Sequence, residues 1–463
     1  MAFTSGGQPS DGNTSPWEGL FEQVRTLLFS DRRTVLIDSP PGAGKTQLAV
    51  RLICDALSKH GLRLAVVTPR ASQMYDLTRR LATALGGTNQ PIQLIYAKGR
   101  ELPSDLRDSE RIAVRTTKVE ELLPGSSVVV STAAKLLTSV TRLAANEFDL
   151  IICDEAYQLM FKDCAPLFKL APTFCIIGDP GQLPPTVRGV NTALFQANSA
   201  RVYWSLPREL LRRFPSLPVL QMPVSMRLVA DTVSLIQPAL YPMLPFTSGT
   251  RLEDRRIGFS ASSDGSKIDE VLDLLAAGAS VVGLLLPASR RYLDEADQEI
   301  AELGASVVSR LVQRGVRWEG VRTLTPGDIG YVDAHIVSGA ATRRALQRLD
   351  VSGTDVWPDT PEVYQGSQRP IVVMKHPLSG LTRLSEFDLS PGRMCVMLSR
   401  HQLGCILVSR DGVGDTLARH RQQSARLLAT ADEEWMGWRA HSLIWNELEA
   451  RGRLWRLSGL SDG

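Results

Sequence analysis

The feature that most constrains this chain is a stretch near its amino terminus, where an apolar run leads into a turn rich in glycine and proline. Residues 35–37 form the apolar run, and the pair Lys45-Thr46 ends the turn. Residues 47–52 follow with the apolar spacing of a helix. This order predicts a buried strand, a tight loop and a helix that packs on the same sheet.

A site for a nucleoside triphosphate requires this order of elements. Gly42 and Gly44 allow backbone N–H groups to approach phosphate oxygens, and the start of the helix adds a positive dipole. Lys45 can reach the outer phosphates of ATP, and the hydroxyl of Thr46 can bind Mg²⁺. The alternative is a glycine-rich connection between a strand and a helix, with an exposed lysine and no ligand. The phosphate site is favoured, because the strand, the turn, the Lys-Thr pair and the helix follow one another at the spacing that such a site requires. The residues expected to hold the nucleotide are Pro40, Pro41, Gly42, Ala43, Gly44, Lys45 and Thr46.

Length and composition limit the architecture and the class of partner. The chain of 463 residues is long enough for about two to three domains, and its 43% apolar content suffices for packed cores. The formal net charge is only +3, so a nucleic-acid surface would have to be a local patch. The six cysteines contain no C-x-x-C pair, which predicts buried thiols rather than disulfides or a zinc site.

The amino-terminal residues have neither the basic nor the apolar segment of a secretory signal. No later run reaches the ~18 to 20 apolar residues of a membrane span. We therefore expect a cytoplasmic protein that has no membrane partner.

Polar residues follow four further apolar runs, where each predicted strand would end. The runs are residues 62–67, 127–130, 148–153 and 173–177, followed by Thr68, Ser131-Thr132, Asp154-Glu155 and residues 178–182. The carboxyl ends of parallel strands meet at one edge of a sheet. The alternation of strands and helices therefore predicts a parallel α/β sheet with its ligand at that edge.

Asp154 and Glu155 are the candidates for the chemical step. Asp154 would hold Mg²⁺ through water, and Glu155 would activate the attacking water. A strand that ends in Asp-Glu can also be a solvated sheet edge, but this pair follows a phosphate loop in the same predicted sheet. Gln182 would lie beside the γ-phosphate.

These segments resemble, in order, motifs I, Ia, II and III of superfamily 1 helicases. The matching residues are 40–46, Thr68-Pro69, 154–158 and 178–184. The branch indicated contains the nonsense-mediated-decay RNA helicase and its DNA-directed relatives. The ending Ala-x-Gln of residues 156–158 separates the chain from DEAD-box proteins, which lack it.

The second half continues the resemblance to about residue 410. Residues 220–228 are similar to motif IV, 359–368 to motif V and 395–408 to motif VI, while 239–244 resemble a short aromatic segment of the family. The resemblance implies that Arg227 and Arg400 hold the γ-phosphate across a cleft between two domains. It also implies nucleotide contacts from Gln365 and Gly366.

Four positions depart from the family pattern. Ser39 replaces the usual first glycine of the loop, Gln368 replaces a glutamate near the ribose, and His401-Gln402 replaces an alanine followed by a basic residue. We expect these changes to affect loop geometry, sugar selectivity and the coupling of hydrolysis to movement more than nucleotide binding.

The resemblance further implies that single-stranded nucleic acid lies across both domains. Its expected contacts are Thr68, Pro69, Arg70, Ser131 and Thr132. Contacts to the backbone position a strand without reading its sequence, so we expect broad sequence tolerance and movement from 5′ to 3′. The residues leave DNA and RNA open as substrates.

We expect two tandem RecA-like α/β domains with parallel sheets, residues 16–200 and 201–425, which bind ATP and Mg²⁺ between them. Residues 1–15 would be disordered, and 426–463 would form a helical carboxyl-terminal tail. Its tryptophans could stack on bases, but packing against the second domain is favoured. They are Trp435, Trp438, Trp445 and Trp455.

The sequence therefore predicts a monomeric, ATP-dependent translocase or helicase. The alternative is an ATPase switch that regulates a protein partner without translocation. A ring-forming ATPase, which takes its arginine finger from a neighbouring subunit, is less consistent with this sequence, because Arg400 is available in the same chain.

Only 38 residues precede Ser39, and residues 86–127 are loop-rich. That segment is near the ~40-residue lower limit for an independent core, so we expect weak duplex unwinding by the chain alone.

Overall fold

The structure is a computed structural model that describes residues 17–30, 33–185, 204–289, 297–349, 356–424 and 433–458. These residues form two compact units, each with its own parallel sheet. The first unit contains the described residues up to Ser39, with Gly44–Gly178 and Pro185–Val224. The second contains Pro40–Ala43, Asp179–Pro184 and the described residues from Ser225 onward. The predicted α/β class, with two parallel-sheet domains, is confirmed.

The predicted domain boundaries fall where the structure gives no description. The junctions at 15/16, 200/201 and 425/426 all lie outside the described residues, as does the segment expected to be disordered. These boundaries stay predictions.

The first unit is built on one sheet of eight strands. They are β1 (Thr34–Asp38), β2 (Arg63–Thr68), β3 (Ile92–Ile95), β4 (Ile112–Thr116), β5 (Ser127–Thr132), β6 (Leu150–Cys153), β7 (Thr173–Gly178) and β8 (Val219–Gln221). Their spatial order is β4-β3-β5-β2-β6-β7-β1-β8, and every neighbouring pair is parallel. The apolar residues at 35–37 are all fully buried, as expected for a sheet with both faces covered.

The helices of the first unit connect these strands. They are α1 (Glu18–Leu28), α2 (Lys45–His60), α3 (Ala71–Ala84), α4 (Ser104–Arg107), α5 (Ala133–Leu137), α6 (Phe161–Cys164) and α7 (Leu206–Arg213). The helix α2 starts directly after Gly44 and ends at Gly61, which has a φ of 60°. A left-handed glycine at this position is a common helix stop.

The prediction that residues 86–127 are loop-rich is wrong in part, because the segment contributes β3 and β4 to the sheet. The polar Gln93 interrupts the short apolar run of β3 and weakens its sequence signal. In the structure Gln93 is buried and satisfied: its amide donates to Ser127 Oγ (2.9 Å) and its carbonyl accepts from Leu123 N (2.7 Å).

The second unit has one large sheet and two small ones. The strands are β9 (Val224–Ser225), β10 (Thr247–Ser248), β11 (Ile257–Phe259), β12 (Val281–Leu286), β13 (Val316–Trp318), β14 (Arg322–Thr323), β15 (Ile329–Val332), β16 (Pro358–Asp359), β17 (Arg369–Lys375), β18 (His401–Arg410) and β19 (Leu454–Arg456). The large sheet has the order β16-β15-β17-β18-β12-β19 and is parallel throughout. An antiparallel sheet, β11-β13-β14, and the pair β9-β10 complete the described strands.

Helices cover this large sheet on both faces. They are α8 (Ala230–Leu240), α9 (Lys267–Ala276), α10 (Gln298–Arg314), α11 (Ile336–Arg348), α12 (Pro361–Tyr364), α13 (Pro391–Ser399), α14 (Val413–Ser424) and α15 (Glu433–Ala450). Alternate strand residues enter two separate cores: Val372 and Met374 belong to one, Ile371 and Val373 to the other. This alternation follows from the two-residue period of a strand.

The carboxyl-terminal tail is not wholly helical, because β19 follows α15 and pairs with β12. Trp445 is buried, Trp438 donates its indole N–H to Leu417 O (2.9 Å), and Trp455 donates to Glu270 Oε2 (2.9 Å). These contacts support packing rather than base stacking for three of the four tryptophans. The side chain of Trp435 is exposed.

The six cysteines all lie among the described residues, and none forms a disulfide. In the same described part of the chain, no helix is both long and apolar enough to cross a bilayer.

Two helical glycines should respond oppositely to alanine. A methyl group added at Gly437 in α15 would overlap the carbonyl oxygen of Leu389, whereas one added at Gly19 in α1 would meet nothing within 4 Å. Gly437→Ala should therefore lower the free energy of unfolding by about 1–3 kcal/mol, as overpacking does. Gly19→Ala should raise it by about 0.5–1 kcal/mol, because it removes unfolded-state entropy. Urea unfolding of both variants measures this. Stabilisation by both would show that α15 does not pack as described.

Candidate nucleotide site

The loop between β1 and α2 has the conformation that its glycines predict. Gly42 and Gly44 have φ values of 74° and 90°, which residues with a side chain rarely adopt. A side chain at Gly42 would also overlap Cβ of Arg227 in the second unit. Ser39 is buried, its N–H donates to Gly178 O (2.9 Å), and its φ is not positive. Serine therefore fits where the family has glycine.

Four predicted site residues converge in the first unit. Lys45 Nζ lies 3.1 Å from Glu155 Oε1, and the Thr46 hydroxyl donates to Asp154 Oδ2 (3.2 Å). The first two residues begin α2 and the other two follow β6, so the sheet topology brings them to one edge. Asp154 and Glu155 are buried, the Lys45 side chain is only 12% exposed, and Thr46 is partly buried.

The electrostatics of this cluster leave negative charge unbalanced. Burial, followed by the neighbouring Glu155 carboxylate, raises the pKa of Asp154 to about 6, although Lys45 and the Thr46 hydroxyl oppose the shift. Two adjacent carboxylates thus share one ammonium group. A divalent cation at this position would relieve the imbalance.

The donor set fits Mg²⁺, which prefers hydroxyl, carboxylate, water and phosphate oxygens. Thr46 and Asp154 supply the first two kinds. Among the described residues no group of three or more His, Cys, Asp or Glu could hold a metal ion. Water and substrate phosphates would have to complete the coordination, which is the usual arrangement in nucleotide-dependent enzymes.

Glu155 has an unusual backbone for a residue with a side chain. Its φ is 55° and its ψ is 40°, the left-handed region, which costs roughly 1–3 kcal/mol for such residues. Its carboxylate accepts from Gln158 Nε2 (3.2 Å), and Gln158 Oε1 in turn accepts from Gln73 Nε2 (3.4 Å). Backbone strain of this kind, maintained by the surrounding residues, is typical of functional sites. No sequence pattern indicated the role of Gln73.

Gln182 and Gln365 meet in the second unit. The Gln182 amide donates to Asp179 Oδ2 (2.7 Å), and its carbonyl accepts from Gln365 Nε2 (3.4 Å). Both glutamines are buried, and Gly366 follows with a φ of 90°. The structure therefore joins the segments predicted as motifs III and V.

Arg227 and Arg400 also meet in the second unit, at Ser399. Arg227 donates to the Ser399 carbonyl (3.4 Å) and to Gln368 Oε1 (2.8 Å). Arg400 is buried and donates to the Ser399 hydroxyl (2.9 Å), while its Nε has no hydrogen-bond partner among the described residues. Gln368, which departs from the family pattern, thus has a partner that the sequence did not indicate.

His401, another departure from the family pattern, is fully buried beside Thr232, at 3.2 Å from the threonine hydroxyl. Burial, and then the positive charge of Arg227, lower the pKa of His401 to about 4. The imidazole is therefore neutral near pH 7, so it does not supply the positive charge that is lost where Gln402 replaces the usual basic residue.

The five residues predicted to bind nucleic acid lie at the ends of β2 and β5, where Thr68 pairs with Thr132. Thr68 and Ser131 are buried, and their hydroxyls donate to the carbonyls of Arg70 (3.0 Å) and Ile95 (3.1 Å). Side-chain contacts from these two are therefore not supported. Pro69, Arg70 and Thr132 remain partly exposed.

This chain is similar in sequence to known proteins. Residues 88–189 match a family described as an AAA domain. The chain is 21% identical over 418 residues to the regulator of nonsense transcripts 1 homolog of Drosophila melanogaster, which covers 82% of this chain and 33% of that protein. It is 23% identical over 221 residues to the DNA-binding protein SMUBP-2 of Mesocricetus auratus, covering 37% and 22%. The chain spans a third or less of the length of these relatives. The predicted resemblance to superfamily 1 helicases is confirmed.

Solved structures with a similar backbone include two proteins in complex with DNA. The arterivirus nonstructural protein 10 helicase in complex with DNA has a TM-score of 0.42 and 15% identity, covering 83% of this chain and 63% of that one. RecG bound to a three-way DNA junction has a TM-score of 0.46 and 14% identity, covering 96% and 50%.

Lys45 and Glu155 should separate nucleotide binding from turnover. Lys45→Ala removes the charge that would hold the outer phosphates, so we expect nucleotide affinity to fall at least tenfold, the equivalent of about 1.4 kcal/mol. Glu155→Gln should still bind ATP but lose most turnover, because only the group that activates water is changed. Titration with a fluorescent ATP analogue, beside a phosphate-release assay, measures both. Turnover at the wild-type rate in Glu155→Gln would contradict the role of Glu155.

Proposed function

We propose that this chain is a Mg²⁺-dependent ATPase that moves from 5′ to 3′ along single-stranded nucleic acid. The observation that carries the proposal is the convergence of Lys45, Thr46, Asp154 and Glu155 at one edge of a parallel sheet. The resemblance to superfamily 1 helicases supports the same assignment.

Lys45 has two partners in this mechanism. In the structure it pairs with Glu155; a triphosphate, which carries more negative charge, would attract the ammonium group and release the Glu155 carboxylate. The released carboxylate would accept a proton from the water that attacks the γ-phosphate. Thr46 and Asp154 would hold Mg²⁺, which when bound neutralises charge on the phosphates.

Nucleic acid is the proposed track. One relative is by its printed name a DNA-binding protein, and the exposed members of the strand-end group are Pro69, Arg70 and Thr132. We further propose that the protein acts as a monomer in the cytoplasm. DNA and RNA are both compatible with contacts to the sugar–phosphate backbone.

The ATPase assay in the presence of nucleic acid tests the proposal. Hydrolysis should rise several-fold when single-stranded DNA or RNA is added, and the strand that stimulates more identifies the substrate. Displacement of streptavidin from a 3′-biotin end, but not from a 5′-biotin end, would support the direction. Hydrolysis that neither strand stimulates would favour the alternative, an ATPase switch that regulates a protein partner.

The two arginines near Ser399 should act on turnover more than on affinity. If Arg227 and Arg400 stabilise charge on the γ-phosphate in the transition state, alanine at either position should lower kcat by at least 10²-fold; arginine fingers of GTPases contribute roughly 10³- to 10⁵-fold. Nucleotide affinity should fall less than in Lys45→Ala. Stopped-flow binding and steady-state hydrolysis separate the two effects. Normal hydrolysis in either variant would exclude that arginine from the site.

A further inference from the structure

One buried hydroxyl in the second unit lies outside the proposed chemistry yet contacts two segments that belong to it. Tyr241 is 2% exposed, and its hydroxyl donates to Asp179 Oδ1 (2.8 Å). The same oxygen lies 2.9 Å from Cys395 Sγ. Asp179 precedes Gln182 in the loop after β7, and Cys395 lies on α13, the helix that leads to Arg400.

The proton arrangement follows from the groups present. A tyrosine hydroxyl has one proton, and a carboxylate accepts it more strongly than a thiol. The Cys395 thiol, 2.9 Å away, can then donate its own proton to the Tyr241 oxygen. Burial raises the pKa of Tyr241 well above its usual value, and burial together with the Asp179 charge raises the pKa of Cys395 to about 12. Both donors therefore keep their protons near neutral pH.

The Asp179 carboxylate passes this constraint to Gln182. Its Oδ1 also accepts from Gly181 N (3.0 Å), and its Oδ2 accepts from Gln182 Nε2 (2.7 Å). The side-chain amide of Gln182 has little rotational freedom left, because its Oε1 also accepts from Gln365 Nε2 (3.4 Å). The hydrogen-bond series runs from Cys395 through Tyr241 and Asp179 to Gln182.

Two glycines show how closely these segments pack. A side chain at Gly181 would overlap the Tyr241 ring, so only glycine lets the tyrosine hydroxyl reach Asp179. A methyl group at Gly392, in the first turn of α13, would lie 2.9 Å from the Gln182 carbonyl oxygen. The start of α13 and the loop that carries Gln182 are therefore in direct contact.

We propose that Tyr241 is a positioning residue of the ATPase site: its hydroxyl fixes Gln182 relative to the helix that carries Arg400. This inference rests on the proposed function, since it assigns Gln182 a role in hydrolysis. Tyr241 does not touch the reacting atoms. Its loss should therefore misplace Gln182 without removing any group that binds the nucleotide.

A double-mutant cycle tests this inference. Tyr241→Phe removes one hydrogen bond to a charged group, and we expect kcat in the presence of single-stranded nucleic acid to fall about tenfold, with KM for ATP changed less than twofold. Gln182→Ala should lower kcat at least as much. If Tyr241 acts through Gln182, the double variant should be no slower than Gln182→Ala alone, because effects within one network do not add.

Matched variants distinguish positioning from general damage. Tyr331→Phe removes another buried hydroxyl of the same unit, from the opposite core, and should leave kcat within twofold. Cys395→Ala removes the thiol donor and should lower kcat, whereas Cys395→Ser restores a donor and should recover most of the loss. This pair also serves as the test if Tyr241→Phe proves unstable on thermal melting.

The outcomes separate this inference from the proposed function. Hydrolysis by the wild-type chain with additive effects of Tyr241→Phe and Gln182→Ala, or with no effect of Tyr241→Phe, would overturn the positioning role alone. Absence of hydrolysis by the wild-type chain with either strand would overturn the proposed function and this inference together.

Discussion

The candidate nucleotide site depends on one ion pair, between Lys45 at the start of α2 and Glu155 after β6. Both groups are nearly shielded from water, and a buried charge is stable only with a partner. The pair therefore satisfies both buried charges. In the proposed mechanism a triphosphate would offer the lysine a stronger partner, and the carboxylate that it leaves would then be available to a water molecule.

The second unit gathers its own set of residues through short-range contacts. Ser399 receives hydrogen bonds from both Arg227 and Arg400, and Asp179 receives them from Tyr241 and Gln182. The helix α13 belongs to both clusters, because it carries Cys395 and ends at Ser399. A change in the setting of this helix would therefore reach the arginines and Gln182 together, which suits an enzyme that couples hydrolysis to movement.

The local pattern was sufficient to predict the elements that form the candidate nucleotide site. Gly42, Gly44 and the Lys-Thr pair require one loop conformation, and apolar runs that end in carboxylates place those groups at a sheet edge. The pattern was insufficient where an element is short or its partner is distant. β3 contains a buried glutamine that only Ser127 and Leu123 satisfy, and β19 exists because β12 offers an edge. The contact between Tyr241 and Asp179 depends on topology, since 62 residues separate them.

Strand-end position also proved a poor guide to exposure. Thr68 and Ser131 end strands, as expected, yet their hydroxyls turn inward to backbone carbonyls. A polar residue at a sheet edge can satisfy itself locally, so its type and place in the sequence do not decide whether it meets a ligand.

In the proposed mechanism Lys45 leaves Glu155 for the phosphates when nucleotide binds. The most direct measurement compares the affinity of a non-hydrolysable ATP analogue for the wild-type chain and for Glu155→Gln by isothermal titration calorimetry. The wild-type chain must break the ion pair before Lys45 can bind phosphate, whereas the variant has no ion pair to break. We therefore expect Glu155→Gln to bind the ATP analogue severalfold more tightly than the wild-type chain does. Equal or weaker binding by the variant would contradict the exchange of partners.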